Sequence, residues 1–327
     1  MQTLIRWDRF IGNHLPLAVL IAVILGLSFP NLFVPINRFA IPLFAFITFA
    51  NSLGGGFREL GHVILHPLPV LAALLLLHVM LPLIAMGTGK LFLPNHPLFT
   101  TGLILEYTIP TGVASLMWVG ISHGNAILCL SIVLLDTILS PLVIPLTLKL
   151  LVGSVVEMDT MGMMRDMMLM VAIPALIGMT LFQRTKGRVA VTLKPRLAFF
   201  AKVILLLIIG GNASGCEAFL HDIDRTLLLV MLLTFLLCAG GFFAGYWTGK
   251  LLRLDYPTTE TLCLNTGLRN ISAGSVLAME YFPPDVLFPV AFTPLFLQLF
   301  ASLVVKVLQT TPSGKKYLAE KDISSLP

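Results

Sequence analysis

Arg269 is a permanent cation inside an apolar stretch, and the segment around it, Asn265-Thr266-Gly267-Leu268-Arg269-Asn270, carries the chemistry open to this chain. An arginine at membrane depth is costly and usually marks a pathway or a binding site. The Thr266-Gly267 step just before it predicts a helix break, which releases backbone groups to bind something. A similar break, Pro110-Thr111-Gly112, lies 158 residues earlier, counted from Thr108 to Thr266. Two interrupted spans in corresponding halves are the sequence mark of a secondary transporter's site. A buried arginine also needs a carboxylate partner. Asp136 is the first candidate, with Glu106 and Glu260 behind it. Any of these carboxylates, buried and unpaired, could hold a proton, which is the physical route to proton coupling. Thr111, Gly112, Thr266, Asn270 and Gln298 complete the groups expected to line the crevice, while His78 is read as a hydrogen-bonded packing residue.

The elements that position these residues must be membrane helices. Of the 327 residues, 57% are hydrophobic and 11% charged, whereas a soluble domain carries about 25% charged residues. Mean hydropathy is +0.94. The apolar segments run to about 20 residues, the length of a spanning helix, and lack the alternation of a barrel strand. The net charge of +5 belongs to loops, where it sets orientation and is no sign of nucleic-acid binding. Four cysteines without a CxxC pair predict neither a disulfide framework nor a zinc site. The loop Cys216–Asp224, with Glu217, His221 and Asp222, has a spacing that fits no standard metal site. No span holds a GxSxG, an HExxH or paired catalytic carboxylates, so an enzyme is not expected.

Ten spans are predicted, at about 14–29, 35–53, 67–88, 98–122, 126–152, 166–183, 197–212, 226–249, 257–282 and 285–308, with the fourth and ninth broken. Residues 1–13 read as an amphipathic interfacial segment, and no cleavable leader is expected. A first repeat (1–152) and a second (166–309) flank a polar, methionine-rich linker (153–165), and a polar tail (310–327) is expected to be mobile. Five spans per repeat force the two halves into opposite orientations, the inverted-repeat plan. With the first residues inside, fourteen of the 21 Lys and Arg residues fall on the cytoplasmic side and five outside. That bias places both termini in the cytoplasm of a multi-pass protein of the cell (inner) membrane.

Several motifs together resemble the bile acid:sodium symporter family over nearly the whole chain. Ser52-Leu53-Gly54 through Phe57-Arg58 looks like that family's loop after span 2. Pro110-Thr-Gly-Val-Ala-Ser-Leu116 is similar to its Pro-Gly-Gly-Thr-Ala-Ser-Asn, and Asn265-Thr-Gly-Leu-Arg-Asn270 to its Glu-Val-Gly-Met-Gln-Asn. Gly124-Asn125, Ser140-Pro141 and Pro145 match its span 5 pattern. The resemblance implies an all-α fold of ten helices, with helices 4 and 9 broken and crossed. A core domain (spans 3–5 and 8–10) would face a panel domain (spans 1, 2, 6 and 7), with an organic anion bound between them and carried by alternating access.

The departures are as informative. Of the family's sodium ligands, Ser115 is kept, whereas Leu77, Leu116, Cys129, Val133, Asn265 and Arg269 stand where oxygen-bearing side chains are expected. Sodium needs several oxygens, one of them preferably anionic, so both sodium sites are expected to be lost and the arginine to stand in for the ions. Asp136 falls on the same helix face as Cys129 and Val133, at i, i+4, i+7, and so is expected to pair with Arg269. An alternative is an Arg–Asp pair that opens when an anionic substrate takes the arginine. The expected protein is thus a sodium-independent carrier of a small carboxylate-type anion. It would need no cofactor, would be embedded in membrane lipid, and would be a monomer or weak oligomer. A conventional sodium symporter and a non-transporting anion sensor on the same fold are the competing readings.

Overall fold

Prolines and side-chain caps cut the apolar sequence into helices. The computed structural model describes residues 2–324 except 59, 60, 62–66, 217, 218 and 220–222. Within these it consists of α1 (Gln2–Asn13), α2 (Leu15–Ser28), α3 (Pro30–Asn37), α4 (Ala40–Ser52), α5 (Pro67–Phe92), α6 (Pro97–Thr108), α7 (Ala114–Ser122) and α8 (Ala126–Val152). After these come α9 (Thr160–Arg184), α10 (Arg188–Thr192), α11 (Lys194–Ser214), α12 (Arg225–Leu251), α13 (Tyr256–Gly267), α14 (Ile271–Tyr281), α15 (Pro284–Thr310) and α16 (Pro312–Ser324). Pro97, Pro257 and Pro284 sit in the first turn of their helices, where a missing N–H costs nothing. Asn125 accepts from Leu128 N at 3.0 Å, Asp224 from Leu227 N at 2.7 Å and Asp255 from Thr258 N at 3.2 Å. Each satisfies one of the orphan donors at a helix start.

Among the described residues six helices, α5, α8, α9, α11, α12 and α15, are long and apolar enough to cross a membrane, or up to eight spans if the bent pairs α1–α2 and α3–α4 each count as one. The halves α6 and α7 have 12 and 9 residues, and α13 and α14 have 12 and 11. A 12-residue helix rises only about 18 Å, well short of a hydrocarbon core of about 30 Å. Each half therefore ends inside the protein.

Two expectations fail at the margins. The linker is shorter than 153–165, because Asp159 accepts from Gly162 N at 2.8 Å and starts α9 at Thr160. The tail is helical up to Ser324, and Tyr317 docks it: its ring lies 5.3 Å from that of Tyr256 and its hydroxyl donates to His123 O at 3.2 Å. A polar composition hid one aromatic anchor.

Two groups of helix contacts bear on the site. In one, α11 lies against α2, α3 and α4, and α9 against α4; in the other, α12 lies against α13, α5 against α6, and α6 against α15. The contact of α12 with α13 uses Gly241, Gly245 and Gly249, one turn apart on α12. A Cβ on Gly245 would lie 2.1 Å from Thr266 Oγ1, 2.7 Å from Leu262 O and 2.8 Å from Cys263 Cα. Backbone cannot retreat as a side chain can. Gly245→Val should therefore separate α12 from α13 and cost about 3 kcal/mol or more. A melting temperature in detergent equal to that of the unaltered protein would contradict this.

Candidate functional site

The two breaks close on each other. Gly112 N donates to Leu268 O at 2.7 Å and Asn270 N to Pro110 O at 2.8 Å, with Thr111 and Arg269 paired as an isolated antiparallel bridge. Thr111 Oγ1 adds a bond to Asn265 O at 2.7 Å. The backbone groups released by the breaks were expected to bind something else; these ones satisfy one another across the crossing instead, as buried peptide groups must. Only glycine fits at 112, where a Cβ would approach Arg269 O to 2.9 Å.

Arg269 is 5% exposed, and its Nη2 donates to the carbonyls of Tyr107 and, at 3.4 Å, of Leu77. Both carbonyls are acceptors that their own helices leave over. In α5, residues Leu76–Met80 wind as a π turn in which Leu81 N bonds Leu76 O. The next donor in that register is the nitrogen of Pro82, which has no hydrogen. Leu77 O is thus left without a helical partner. Tyr107 lies in the last turn of α6, where carbonyls lose their partners. The donor that would have continued the helix, Thr111 N, is turned to Asp136 Oδ2 at 2.6 Å. A guanidinium at the C-terminal, negative end of a half-helix is also favoured by the helix dipole. Its Nε and Nη1 have no hydrogen-bond partner among the described residues, and the Tyr107 ring lies 5.9 Å from Cζ.

Asp136 does not take Arg269. Its side chain is 0% exposed, Oδ2 accepts from Thr111 N, and Oδ1 lies 2.7 Å from His78 Nε2. The expected ion pair is therefore replaced by a charge held nearby: Asp136 and Glu106 are the carboxylates within electrostatic reach of the guanidinium. The periodicity argument put Asp136 on the right face. It could not show that the nearest donors there would be an imidazole and a backbone N–H.

Ser115, Cys129 and Asn265 meet one turn away. Ser115 Oγ lies 2.8 Å from Gly112 O, 3.3 Å from Asn265 Oδ1 and 3.4 Å from Cys129 Sγ, and Cys129 Sγ lies 3.7 Å from Asn265 Oδ1. Asn265 Nδ2 donates to Thr261 O at 2.9 Å. This set holds one hydroxyl, one thiol and one amide oxygen, already bonded to each other. It has no carboxylate, and hard cations such as sodium want oxygens. As a donor set it does not fit the ion the family resemblance implies.

The remaining candidates scatter. Thr266 Oγ1 donates to Gly241 O at 2.9 Å, toward α12. Asn270 caps α14, accepting from Ala273 N at 3.4 Å. Gln298 accepts from Trp118 Nε1 at 2.8 Å and ties α15 to α7. Glu260 meets Tyr256 OH at 3.4 Å, seven residues and so about 10 Å before the end of α13; it is not part of the crossing. Glu106 is fully buried on α6, beside Thr293 of α15. In the loop after α11, burial pushes the Cys216 thiol up to about 12, while Glu217, His221 and Asp222 lie outside the described residues. A recess of about 380 Å³ between the two helix groups is lined by Asn37, Arg38, Met279, Glu280 and Leu287. Sequence reading counted Arg38 only as a topology marker. It read His78 as a hydrogen-bonded packing residue but did not name Asp136 as its partner, and it passed over Pro82: a proline in mid-span predicts a widened turn.

Comparison with known proteins agrees with this geometry. Residues 40–220, just over half of the chain, match the Sodium Bile acid symporter family. The uncharacterized protein YbaS of Bacillus subtilis is 39% identical over 290 residues, covering 88% of this chain and 94% of that one. The uncharacterized sodium-dependent transporter YocS of the same organism is 24% identical over 93% of both chains. The probable sodium/metabolite cotransporter BASS1 of Arabidopsis thaliana is 27% identical over 85% of this chain and 69% of its own. A buried polar crossing between half-helices, several apolar spans and these relatives lead to one conclusion: the chain is a multi-pass membrane transporter, not an enzyme, and belongs to the Sodium Bile acid symporter family.

Proposed function

We propose that this transporter moves a small organic anion of the carboxylate type by alternating access, without sodium. The observation that carries the reading is Arg269. Its guanidinium spends one nitrogen on two leftover carbonyls and leaves Nε and Nη1 without partners among the described residues in a buried crossing. Buried donors of this kind need an acceptor, and an anion is the acceptor that a fixed cation favours. The Ser115–Cys129–Asn265 set supports the absence of sodium, because it offers no charged oxygen. In this reading, α6–α7 and α13–α14 are the broken fourth and ninth helices of a ten-span, five-plus-five inverted repeat, and the two groups of helices are panel and core. Both termini lie in the cytoplasm, the protein acts as a monomer or weak oligomer, and protons take the coupling role.

The names of the relatives favour a second reading, a conventional sodium symporter. Thermal stabilisation of the purified protein separates the two, using pyruvate, succinate and taurocholate as probes, each in sodium and in potassium at two pH values. Stabilisation that is the same in both salts and absent from Arg269→Gln is expected. Stabilisation that requires sodium would overturn the reading. Ligand binding without flux into liposomes would instead identify a sensor.

A further inference from the structure

We infer that His78 and Asp136 form the proton-binding couple of this transporter, tying span 3 to the first helix break. The inference rests on the anion-transport reading and names its coupling site. Three observations combine. The His78 Nε2–Asp136 Oδ1 contact is 2.7 Å long and buried, with the two side chains 8% and 0% exposed. The other Asp136 oxygen accepts from Thr111 N at 2.6 Å, so the carboxylate is an acceptor on both sides and His78 donates from Nε2. His78 Nδ1 is buried and has no hydrogen-bond partner among the described residues. A neutral ring in this tautomer has its lone pair at Nδ1, and that atom is where a proton adds. The product is an imidazolium–carboxylate pair, and nothing else in the couple has to move.

Charge balance says why a proton would come. With His78 neutral and the buried Glu106 carrying its proton, Asp136 and Arg269 cancel. A substrate carboxylate brought to Arg269 adds one buried negative charge, which is expensive in a low-dielectric interior. A proton on Nδ1 restores neutrality, so the anion and the proton stabilise each other's binding. The couple is also placed to report this. His78 lies in the π turn whose Leu77 carbonyl holds Arg269, and Asp136 holds the N–H next to the crossing. Arg269 from the second break is the charged group within electrostatic reach of Asp136, and it in turn has Glu106 and Tyr107 of α6 within reach. Glu106, fully buried on α6 beside Thr293, is the competing proton carrier.

Liposomes holding the unaltered protein, His78→Gln or Glu106→Gln decide the matter, in sodium-free buffer with radiolabelled pyruvate, succinate or taurocholate and a trapped pH dye. Exchange of a probe between the two sides at equal pH reports a folded, working carrier. A one-unit pH gradient, worth about tenfold per proton, reports coupling. The unaltered protein is expected to exchange at least one probe and to accumulate it about tenfold under the gradient, with internal acidification. Glu106→Gln, whatever its rate of exchange, should still accumulate the probe under the gradient, whereas His78→Gln should exchange but not accumulate. No exchange of any probe by the unaltered protein defeats the anion-transport reading itself. Exchange without gradient-driven accumulation defeats only the proton couple, as does full coupling in His78→Gln or its loss in Glu106→Gln alone. Should His78→Gln fail to exchange, ¹⁵N-histidine spectra of the unaltered protein in liposomes decide: a His78 ring that gains a proton when probe is added supports the couple, and one that stays neutral from pH 5 to 8 overturns it.

Discussion

Asp136→Leu should lower the stability of the protein by about 3–5 kcal/mol, the range seen when one partner of a buried charge arrangement is removed. Three losses coincide. Thr111 N–H is buried and loses its acceptor, at a cost of about 1–3 kcal/mol. His78 Nε2 loses its partner at 2.7 Å. Arg269 is left without the carboxylate that balances its charge across the crossing. Asp136→Asn keeps an oxygen for Thr111 but sets an amide N–H₂ against the imidazole donor, and should cost about half as much. Equilibrium unfolding in mixed micelles measures both. A loss below about 1 kcal/mol for the leucine variant would mean that the carboxylate does not organise the crossing.

Arg269→Gln should have the largest effect on transport, a fall of about a hundredfold or more in initial flux, because the fixed cation offered to the anion is gone. Stability should also fall by about 2–3 kcal/mol, since the carbonyls of Tyr107 and Leu77 lose a charged donor. Arg269→Lys keeps the charge but not the planar fork, and one ammonium is poorly shaped to serve both carbonyls and a ligand. It should recover about a tenth of the lost flux. A double-substitution cycle with Asp136→Asn adds a sharper check. The two groups share no hydrogen bond, so a through-space coupling of about 1 kcal/mol is expected rather than that of a close pair. Coupling near zero would show that the two charges do not balance each other.

Much of this site was legible in the chain. A membrane protein of long helices follows from composition, and both breaks follow from Pro110-Thr-Gly112 and Thr266-Gly267, where residues that weaken a helix stand at corresponding places in the two halves. Arg269 had to be buried once its span was recognised. The motifs at Asn265–Asn270 and Pro110–Leu116 led to the right family, and the match over residues 40–220 supports it. Less legible was where short helices start and stop. Asp159 begins α9 and Tyr317 anchors α16 through single contacts that carry no periodic signal.

Partner choice was decided only in three dimensions. Helical periodicity assigns Asp136 to a face, but which donors meet it depends on how α6 ends and how α5 is wound. Sequence by itself determined that this protein has a buried cation, a nearby carboxylate and two broken helices. Tertiary structure decided that the breaks zip to each other, that Arg269 takes the two carbonyls that Pro82 and the end of α6 leave unbonded, and that Asp136 goes to His78. The reason is that hydrogen bonds to backbone groups are set by which groups the local helix geometry leaves unpaired, and residue identity alone does not record that.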